Sequence, residues 1–171
     1  MAQVYLKGNS LTLVGEPPKE GDRAPEFRAV GQELQPLSLS DIKEEVVVLL
    51  SVPSLDTPVC DLEGRRFNSE AKELGASVRV VVISMDLPFA QKRWCGANGI
   101  ENILVVSDYK ERDFGNKYGV LIKEIGLLAR AVFVLDKDRV VRYSELVSEI
   151  TNEPDYNRAL ENIKKLINRG G

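Results

Sequence analysis

The stretch VVVLLSVPSLDTPVC, residues Val46–Cys60, decides the fold of this chain of 171 residues. Its apolar first part has the pattern of a strand that is buried on both faces. Thr57 is a good helix N-cap and Pro58 suits the first helical position, so the sequence predicts a helix with Cys60 at position N3. There the sulfur faces the positive end of the helix dipole and free backbone N–H groups, a setting that favours a thiolate. One of only two cysteines therefore lies where a nucleophile would.

Strands and helices alternate after this stretch. The pattern predicts helices over Pro58–Leu74, Pro88–Asn98 and Tyr109–Tyr118, strands over Val46–Ser51, Val78–Met85 and Ile103–Ser107, a hairpin of Arg130–Leu135 with Val140–Ser144, and a last helix from about Pro154. This order predicts an α/β fold with a mixed central sheet covered by helices on both faces. Chemistry in such sheets lies at the carboxyl ends of the strands, and Cys60 follows the end of the first core strand.

The amphipathic pattern of the helix over Pro58–Leu74 predicts which side is buried. The apolar residues near one face are Val59, Leu62, Phe67, Ala71 and Leu74. Acidic residues in the first turn, Asp61 and Glu63, are expected only to complement the positive helix start, with no chemical role.

The N-terminal part of the chain predicts less regular structure. Val4–Val14 has the pattern of two short strands around Gly8-Asn9, an N-terminal β-hairpin. Gly15–Pro36 is rich in proline and charge, which predicts a loop on the surface. Since no repeat or linker divides the chain, residues 1–171 are expected to form one domain.

Composition excludes several classes of function. The net charge is −3, from 23 basic and 26 acidic residues, and gives no electrostatic reason to expect nucleic acid or an anionic membrane as partner. No apolar run approaches the ~20 residues of a membrane span. Met1–Val14 lacks the basic-then-apolar layout of a secretory signal, so we expect a cytoplasmic protein, in which a working disulfide is more plausible than a structural one.

The absence of histidine narrows the chemistry further. A Cys–His hydrolase needs an imidazole base, and the usual zinc sites need more Cys and His ligands than two cysteines supply. A C-x-x-C redox motif is also missing, because Cys60 and Cys95 lie 35 positions apart.

Several separated segments resemble one family, the peroxiredoxins. Pro53-x-x-x-Thr57-x-x-Cys60 resembles their active-site signature, and Gly21-Asp22-x-Ala24-Pro25-x-Phe27 resembles the segment that opens their thioredoxin-like core. Further segments are similar to the bacterial thiol peroxidases, an atypical 2-Cys subgroup: Pro53–Leu62, Pro88–Gln91 with Cys95, Ala129–Ala131 and Glu149–Tyr156. The resemblance spans nearly the whole chain, including the predicted N-terminal hairpin.

The resemblance implies a thioredoxin-like fold and a peroxidase that acts on hydrogen peroxide and organic hydroperoxides without metal, flavin or haem. Cys60 would be the peroxidatic cysteine, oxidised to a sulfenic acid, and Cys95 the resolving cysteine that forms an intramolecular disulfide with it. Thr57 and Arg130 would hold the peroxide and stabilise the thiolate, while Pro53 would shield the sulfur from water. Thioredoxin would be the usual reductant and a homodimer the usual assembly.

Each of these residues also has an ordinary structural interpretation. Cysteines are often small buried hydrophobic residues, Thr57 is a helix cap, Pro53 is a strand end, and Arg130 judged from sequence alone is a surface charge at the end of a strand. At the level of function, a redox sensor would use the same Cys60–Cys95 switch to change a protein contact. A general disulfide oxidoreductase is disfavoured by the missing C-x-x-C.

The two cysteines are predicted to lie on different helices with a strand between them. A disulfide requires Cα atoms within ~7 Å. We expect a larger separation in the reduced protein, so that disulfide formation requires the turn after Thr57 and the Cys95 segment to unwind.

Overall fold

A computed structural model of the protein describes the backbone of residues 2–170 and the side chains of residues 2–167. The strands are β1 Gln3–Leu6, β2 Asn9–Thr12, β3 Arg28–Val30, β4 Pro36–Ser38, β5 Val46–Ser51, β6 Val78–Ser84, β7 Leu104–Ser107, β8 Ala131–Leu135 and β9 Val141–Leu146. The helices are α1 Pro58–Leu74, α2 Pro88–Asn98, α3 Asp113–Lys117 and α4 Tyr156–Gly170, with a short 3₁₀ helix at Leu39–Asp41.

Within the described residues, seven strands form a mixed sheet in the order β4-β3-β7-β6-β5-β8-β9. The central strand β5 runs parallel to β6 and antiparallel to β8. In β5, Val47 and Leu49 belong to one hydrophobic core and Val48 and Leu50 to the other, as the two-residue period of a strand requires. The predicted mixed sheet with a core on each face is confirmed.

The sheet separates two hydrophobic cores. One contains the aromatic side chains of Phe27, Phe114 and Tyr118. The other contains Cys60 and Cys95 together with residues of α1 and α4. Both cysteines therefore lie on the same side of the sheet, although they belong to different helices.

The predicted N-terminal hairpin is confirmed, but its turn was placed one residue too late. Leu6 pairs with Asn9, so the turn residues are Lys7 and Gly8 rather than Gly8-Asn9. Both have positive φ, 51° and 83°, which is the geometry of the turns that match the twist of two-residue hairpins.

The prediction of a surface loop over Gly15–Pro36 is wrong. This segment contains β3 and the start of β4, and β3 pairs with β7 through Val30 and Ser107. Phe27 is fully buried and packs edge-on against Phe114, with ring centroids 5.1 Å apart. Three-residue strands are too short to show a period of two, so the prolines and charges dominated the pattern.

The helix predicted over Tyr109–Tyr118 is much shorter, Asp113–Lys117. Arg112 has φ 53°, a left-handed conformation that cannot continue a helix. The helix start is held instead by buried Asp108, whose carboxylate accepts hydrogen bonds from the amides of Phe114 (2.9 Å) and Gly115 (2.8 Å).

The buried face of α1 also differs from the prediction. Phe67, Ala71 and Leu74 are buried as expected, but Leu62 is 45% exposed. Glu63 and Gly64 are buried in its place. The apolar pattern was misleading because a charged residue occupies the buried side of the first turns.

This assignment of the face is testable by two substitutions on one helix. Phe67→Ala should destabilise the reduced protein by about 3–5 kcal/mol, because it removes a fully buried aromatic ring. Leu62→Ala should change the free energy of unfolding by less than about 0.5 kcal/mol, as expected of an exposed position. Urea unfolding in the presence of a reductant measures both. A large loss for Leu62→Ala would place this side chain in the core.

Candidate active site

The segment between β5 and α1 delivers Cys60 to the carboxyl end of the sheet. Pro53 is buried directly after the strand, Thr57 is the N-cap residue, and Pro58 is the first residue of α1. The predicted position of Cys60 at N3 is confirmed. Its side chain has no exposed surface, so a molecule that reaches the sulfur must be small or must enter through local motion.

The Thr57 hydroxyl does not cap the helix as the sequence suggests. It donates to the carbonyl oxygen of Ser54 at 2.8 Å, and the Thr57 amide donates to the same oxygen at 3.1 Å. The helix amides at the N-terminus of α1 are therefore left to interact with Cys60 or with a ligand. Thr57 itself is exposed.

A carboxylate on the neighbouring strand end fixes this segment. Asp86, just after β6, accepts from the hydroxyl of Ser54 at 2.7 Å and from the amide of Leu55 at 2.8 Å. The hydroxyl of Ser84 donates to the same carboxylate at 2.7 Å. No local pattern predicts this contact, because the residues of the segment that Asp86 fixes lie 31 and 32 positions away from it.

Arg130 lies beside Cys60 because of strand register. It precedes β8, whose first residue Ala131 pairs with Ser51 at the end of β5. The side chain is 2% exposed, and it lies close enough to Cys60 for the charge of the sulfur to raise the pKa of Arg130. The interpretation of Arg130 as a surface charge is therefore wrong.

The guanidinium of Arg130 is held on two further sides. Nη1 donates to Oε1 of Glu63 at 2.9 Å, while Nε and Nη2 donate to the carbonyl oxygen of Ile150 at 3.1 and 2.8 Å. Burial lowers the pKa of Arg130, but the charges of Cys60 and Glu63 more than offset this and raise it. Arg130 thus brings a permanent positive charge to the sulfur.

Glu63 is the site residue that the sequence interpretation missed. It is fully buried and paired with Arg130, which corrects the expectation that it only complements the helix start. Its Oε2 has no hydrogen-bond partner among the described side chains and backbone groups. Burial raises the pKa of Glu63 to about 7, against the opposing attraction of Arg130. Its spacing of three residues from Cys60 was the available signal, since such pairs share a helix face.

The N-terminal hairpin supports the carbonyl that holds Arg130. The amide of Ile150 donates to the carbonyl of Tyr5 at 2.9 Å, and the amide of Tyr5 donates to that of Ser148 at 2.7 Å. Glu149 accepts from the amide of Gly8 at 3.0 Å, and this bond helps to lower the pKa of Glu149 to about 2. The hairpin is thus connected to Cys60 through Ile150 and Arg130.

Cys95 lies in α2 as a buried free thiol, 9% exposed. Burial raises the pKa of the Cys95 thiol, and a hydrogen bond from Gln32 Nε2 to its sulfur (3.4 Å) opposes that shift only in part. Gln32 follows β3, in the segment mistaken for a surface loop. Cys95 is therefore kept in the protonated form, in which it is a poor nucleophile.

Asp61 also does more than complement the helix start. It accepts a hydrogen bond from the indole Nε1 of Trp94 at 2.8 Å. Asp61 follows Cys60 and Trp94 precedes Cys95, so this bond joins the two helices that carry the cysteines.

The described side chains, those of residues 2–167, include no cluster of three or more His, Cys, Asp or Glu residues arranged to hold a metal ion. Among the same residues, no helix combines the length and the apolar character needed to cross a bilayer.

Comparison with known proteins gives consistent matches. Residues 19–160 match the Redoxin family model. A thiol peroxidase of Bacillus subtilis (strain 168) is 50% identical over 167 residues, which cover 98% of this chain and 99% of the relative. A crystal structure of a peroxiredoxin-like protein from Aquifex aeolicus superposes with a TM-score of 0.91 at 49% identity, over 97% of this chain and 98% of that one. A thiol peroxidase from Chromobacterium violaceum superposes with a TM-score of 0.85 at 26% identity, over 98% and 96% of the two chains.

The buried carboxyl group of Glu63 predicts a specific dependence of stability on pH. Between the ordinary value of 4.5 and about 7, the folded protein keeps a proton on Glu63 that the unfolded chain has lost. The contribution of Glu63 to stability should therefore decline as the pH rises through this window, by about 2 kcal/mol from pH 5 to pH 7.5. Glu63→Gln should remove this slope.

Urea unfolding of the reduced proteins across this pH range measures the effect. Asp108 has its pKa raised to about 6 by burial and titrates in the same window, so the slope of Glu63→Gln is compared with that of the wild type. Glu70→Gln, on the exposed side of α1 where Glu70 pairs with Arg66, is the matched control. An unchanged slope in Glu63→Gln would show that Glu63 ionises normally.

Proposed function

The chain belongs to the Redoxin family and, within it, to the thiol peroxidases, and from this premise we propose that it reduces hydrogen peroxide and organic hydroperoxides at Cys60. The observation that carries the proposal is the position of this sulfur, at N3 of α1 and within the electrostatic reach of the buried guanidinium of Arg130. A helix N-terminus and a fixed cation together stabilise a thiolate and any negative charge that develops beside it.

The first step is attack by the Cys60 thiolate on one oxygen of the hydroperoxide. A sulfur–oxygen bond forms while the O–O bond breaks, so sulfur is oxidised to the sulfenic acid. The departing oxygen leaves as alkoxide or hydroxide and takes up a proton to give alcohol or water. Arg130 stabilises the charge on that oxygen, and the Thr57 hydroxyl, whose hydrogen is donated to Ser54, orients the peroxide by accepting a hydrogen bond from it.

Orientation supplies more of the rate than ionisation does. A thiol with an ordinary pKa of about 8.5 is a few per cent ionised at pH 7, so complete ionisation gains only roughly thirtyfold. Part of that gain is lost, because a less basic thiolate is a weaker nucleophile. The larger share must come from fixed donors that hold the peroxide in line with the sulfur. The rigid attachment of Arg130 to Glu63 and Ile150 suits this task.

The second step is resolution by Cys95. Its sulfur, once deprotonated, attacks the sulfur of the Cys60 sulfenic acid, the S–S bond forms, the S–O bond breaks and water leaves. The raised pKa of Cys95 keeps it from competing for peroxide. Both cysteines are buried free thiols in separate helices, so the disulfide requires both segments to move.

The remaining parts of the cycle follow from the family and the site. Buried Pro53 shields the sulfur from water. A dithiol protein, thioredoxin, reduces the Cys60–Cys95 disulfide by exchange and is itself oxidised. The protein acts in the cytoplasm as a homodimer of one-domain subunits.

Mass spectrometry after one equivalent of hydrogen peroxide tests the two cysteine roles. Wild type should form a disulfide between Cys60 and Cys95, Cys95→Ser should accumulate a trappable sulfenic acid at Cys60, and Cys60→Ser should consume almost no peroxide. Oxidation that begins at Cys95 would reverse the roles. A redox sensor predicts the same disulfide without turnover, so peroxide consumption with thioredoxin, its reductase and NADPH separates the two functions.

The role of the hydroxyl at position 57 is tested by a pair of substitutions. Thr57→Val should lower the rate constant for reaction with peroxide by roughly 100-fold, the usual effect of losing one oriented group at a reacting oxygen. Thr57→Ser keeps the hydroxyl and should stay within about tenfold of the wild type. Stopped-flow measurement of peroxide consumption gives both rates. Full activity in Thr57→Val would refute the orienting role.

A further inference from the structure

We propose that the hydrogen bond between Asp61 and Trp94 is a latch that keeps the two cysteine-bearing helices folded and sets the rate at which Cys95 reaches oxidised Cys60. Its effect on resolution rests on the proposed function, whereas its effect on the opening of α2 does not. Both residues are positioning residues, since they act through the helices and not on the peroxide.

The latch joins the residues next to the two cysteines. The indole Nε1 of Trp94 donates to Oδ1 of Asp61 at 2.8 Å, and Trp94 is 6% exposed. The other carboxylate oxygen, Oδ2, accepts from Arg65 at 2.9 Å. Asp61 is thus oriented from one side by its own helix and from the other by α2. A hydrogen bond from a largely buried donor to a charged acceptor is among the stronger ones in a protein.

Packing reinforces the bond. A Cβ atom built on Gly64 would lie 2.6 Å from Cη2 of Trp94, which is closer than any real contact. The indole ring therefore lies directly on the backbone of α1, at a position where only glycine leaves room for it. The ring and the hydrogen bond together fix the distance between α1 and α2 within one turn of Cys60.

The two residues before Trp94 make weaker contacts with the rest of the chain. Lys92 pairs with Glu33 at 2.7 Å and Arg93 with Asp56 at 3.7 Å, but all four of these side chains are more than half exposed. Such surface pairs contribute little to stability. The contact of Trp94 is buried, and so it opposes unwinding more than the two surface pairs do.

Disulfide formation must break this latch. Cys60 and Cys95 are buried free thiols in the folded helices, and in the proposed cycle the turns next to both of them open. Asp61 and Trp94 belong to those turns. A stronger latch lengthens the life of the sulfenic acid and exposes it to a second peroxide, whereas a weaker latch speeds resolution.

The first measurement uses no peroxide. In a Cys60→Ser background, alkylation of buried Cys95 by a maleimide reports the opening of α2. Trp94→Phe keeps an aromatic ring against Gly64 but removes the donor, and it should speed alkylation by about fivefold. Tyr143→Phe removes a similar aromatic donor from a carboxylate, that of Glu145 at 3.0 Å, and both of these residues belong to strand β9 and not to a cysteine helix. It should leave the rate unchanged.

The second measurement is rapid-quench mass spectrometry of the same substitutions with Cys60 present. Trp94→Phe should convert sulfenic acid to disulfide about fivefold faster, while the rate of sulfenic acid formation stays within twofold. Asp61→Ala should speed the conversion to disulfide in the same way. Asp61→Asn should keep most of the slow wild-type rate, because its amide oxygen can still accept the hydrogen bond. The double variant, Trp94→Phe with Asp61→Ala, should convert no faster than either single variant. A generally destabilised protein would instead change both steps.

The possible outcomes distinguish a failure of the proposed latch from a failure of the proposed catalytic cycle. Unchanged alkylation of Cys95 in both Trp94→Phe and Asp61→Ala would overturn the latch, whatever the chemistry at Cys60. Faster alkylation in a protein whose wild type forms no disulfide between Cys60 and Cys95 would support the latch and refute the proposed cycle. Faster alkylation with an unchanged rate of resolution would also overturn the inference, because the latch would then not control the step assigned to it.

Discussion

A buried positive charge organises this molecule. The guanidinium of Arg130 is almost wholly removed from water, and an unpaired charge there would be very unfavourable. It donates hydrogen bonds to Glu63 of α1 and to the carbonyl of Ile150, and the charge of Cys60 also stabilises it. Because Arg130 needs these partners, Glu63 has to lie on the buried face of α1, and the segment after β9 has to bring the carbonyl of Ile150 to the guanidinium. The N-terminal hairpin supports this arrangement, because the carbonyl of Tyr5 accepts a hydrogen bond from the amide of Ile150.

The site combines rigid support with helices that open in the proposed cycle. Asp86 fixes the loop before α1 from the neighbouring strand, and Arg130 is held by Glu63 and by the carbonyl of Ile150. These contacts suit the reaction with peroxide, which depends on orientation. The proposed resolution by Cys95 requires the opposite behaviour, because Cys60 and Cys95 are buried in separate helices. In that proposal, the contact of Trp94 on α1 acts on the second step without touching the reacting atoms of the first.

Local patterns failed where the structure depends on distant partners. The turn of the N-terminal hairpin was misplaced by one residue because the pairing of Leu6 with Asn9, and not turn composition alone, sets the register. The burial of Phe27 was missed because its ring packs against Phe114, 87 residues later in the chain. The exposure of Leu62 was missed because Glu63 takes the buried side of the helix, which an apolar pattern cannot foresee.

The sequence by itself determined the alternation of strands and helices, the bounds of α1 and α2, and the position of Cys60 at N3. These features depend on short-range rules: apolar runs, proline at the first helical turn, and glycine after the last. Only the tertiary structure decided the environment of the sulfur. Strand register places Arg130 beside the sulfur, and helix packing places Trp94 against Asp61. Gln32 contacts Cys95 from the segment after β3, which the sequence pattern predicted as a surface loop. Such contacts join residues far apart in the chain, and no local pattern of residues encodes the distance between them.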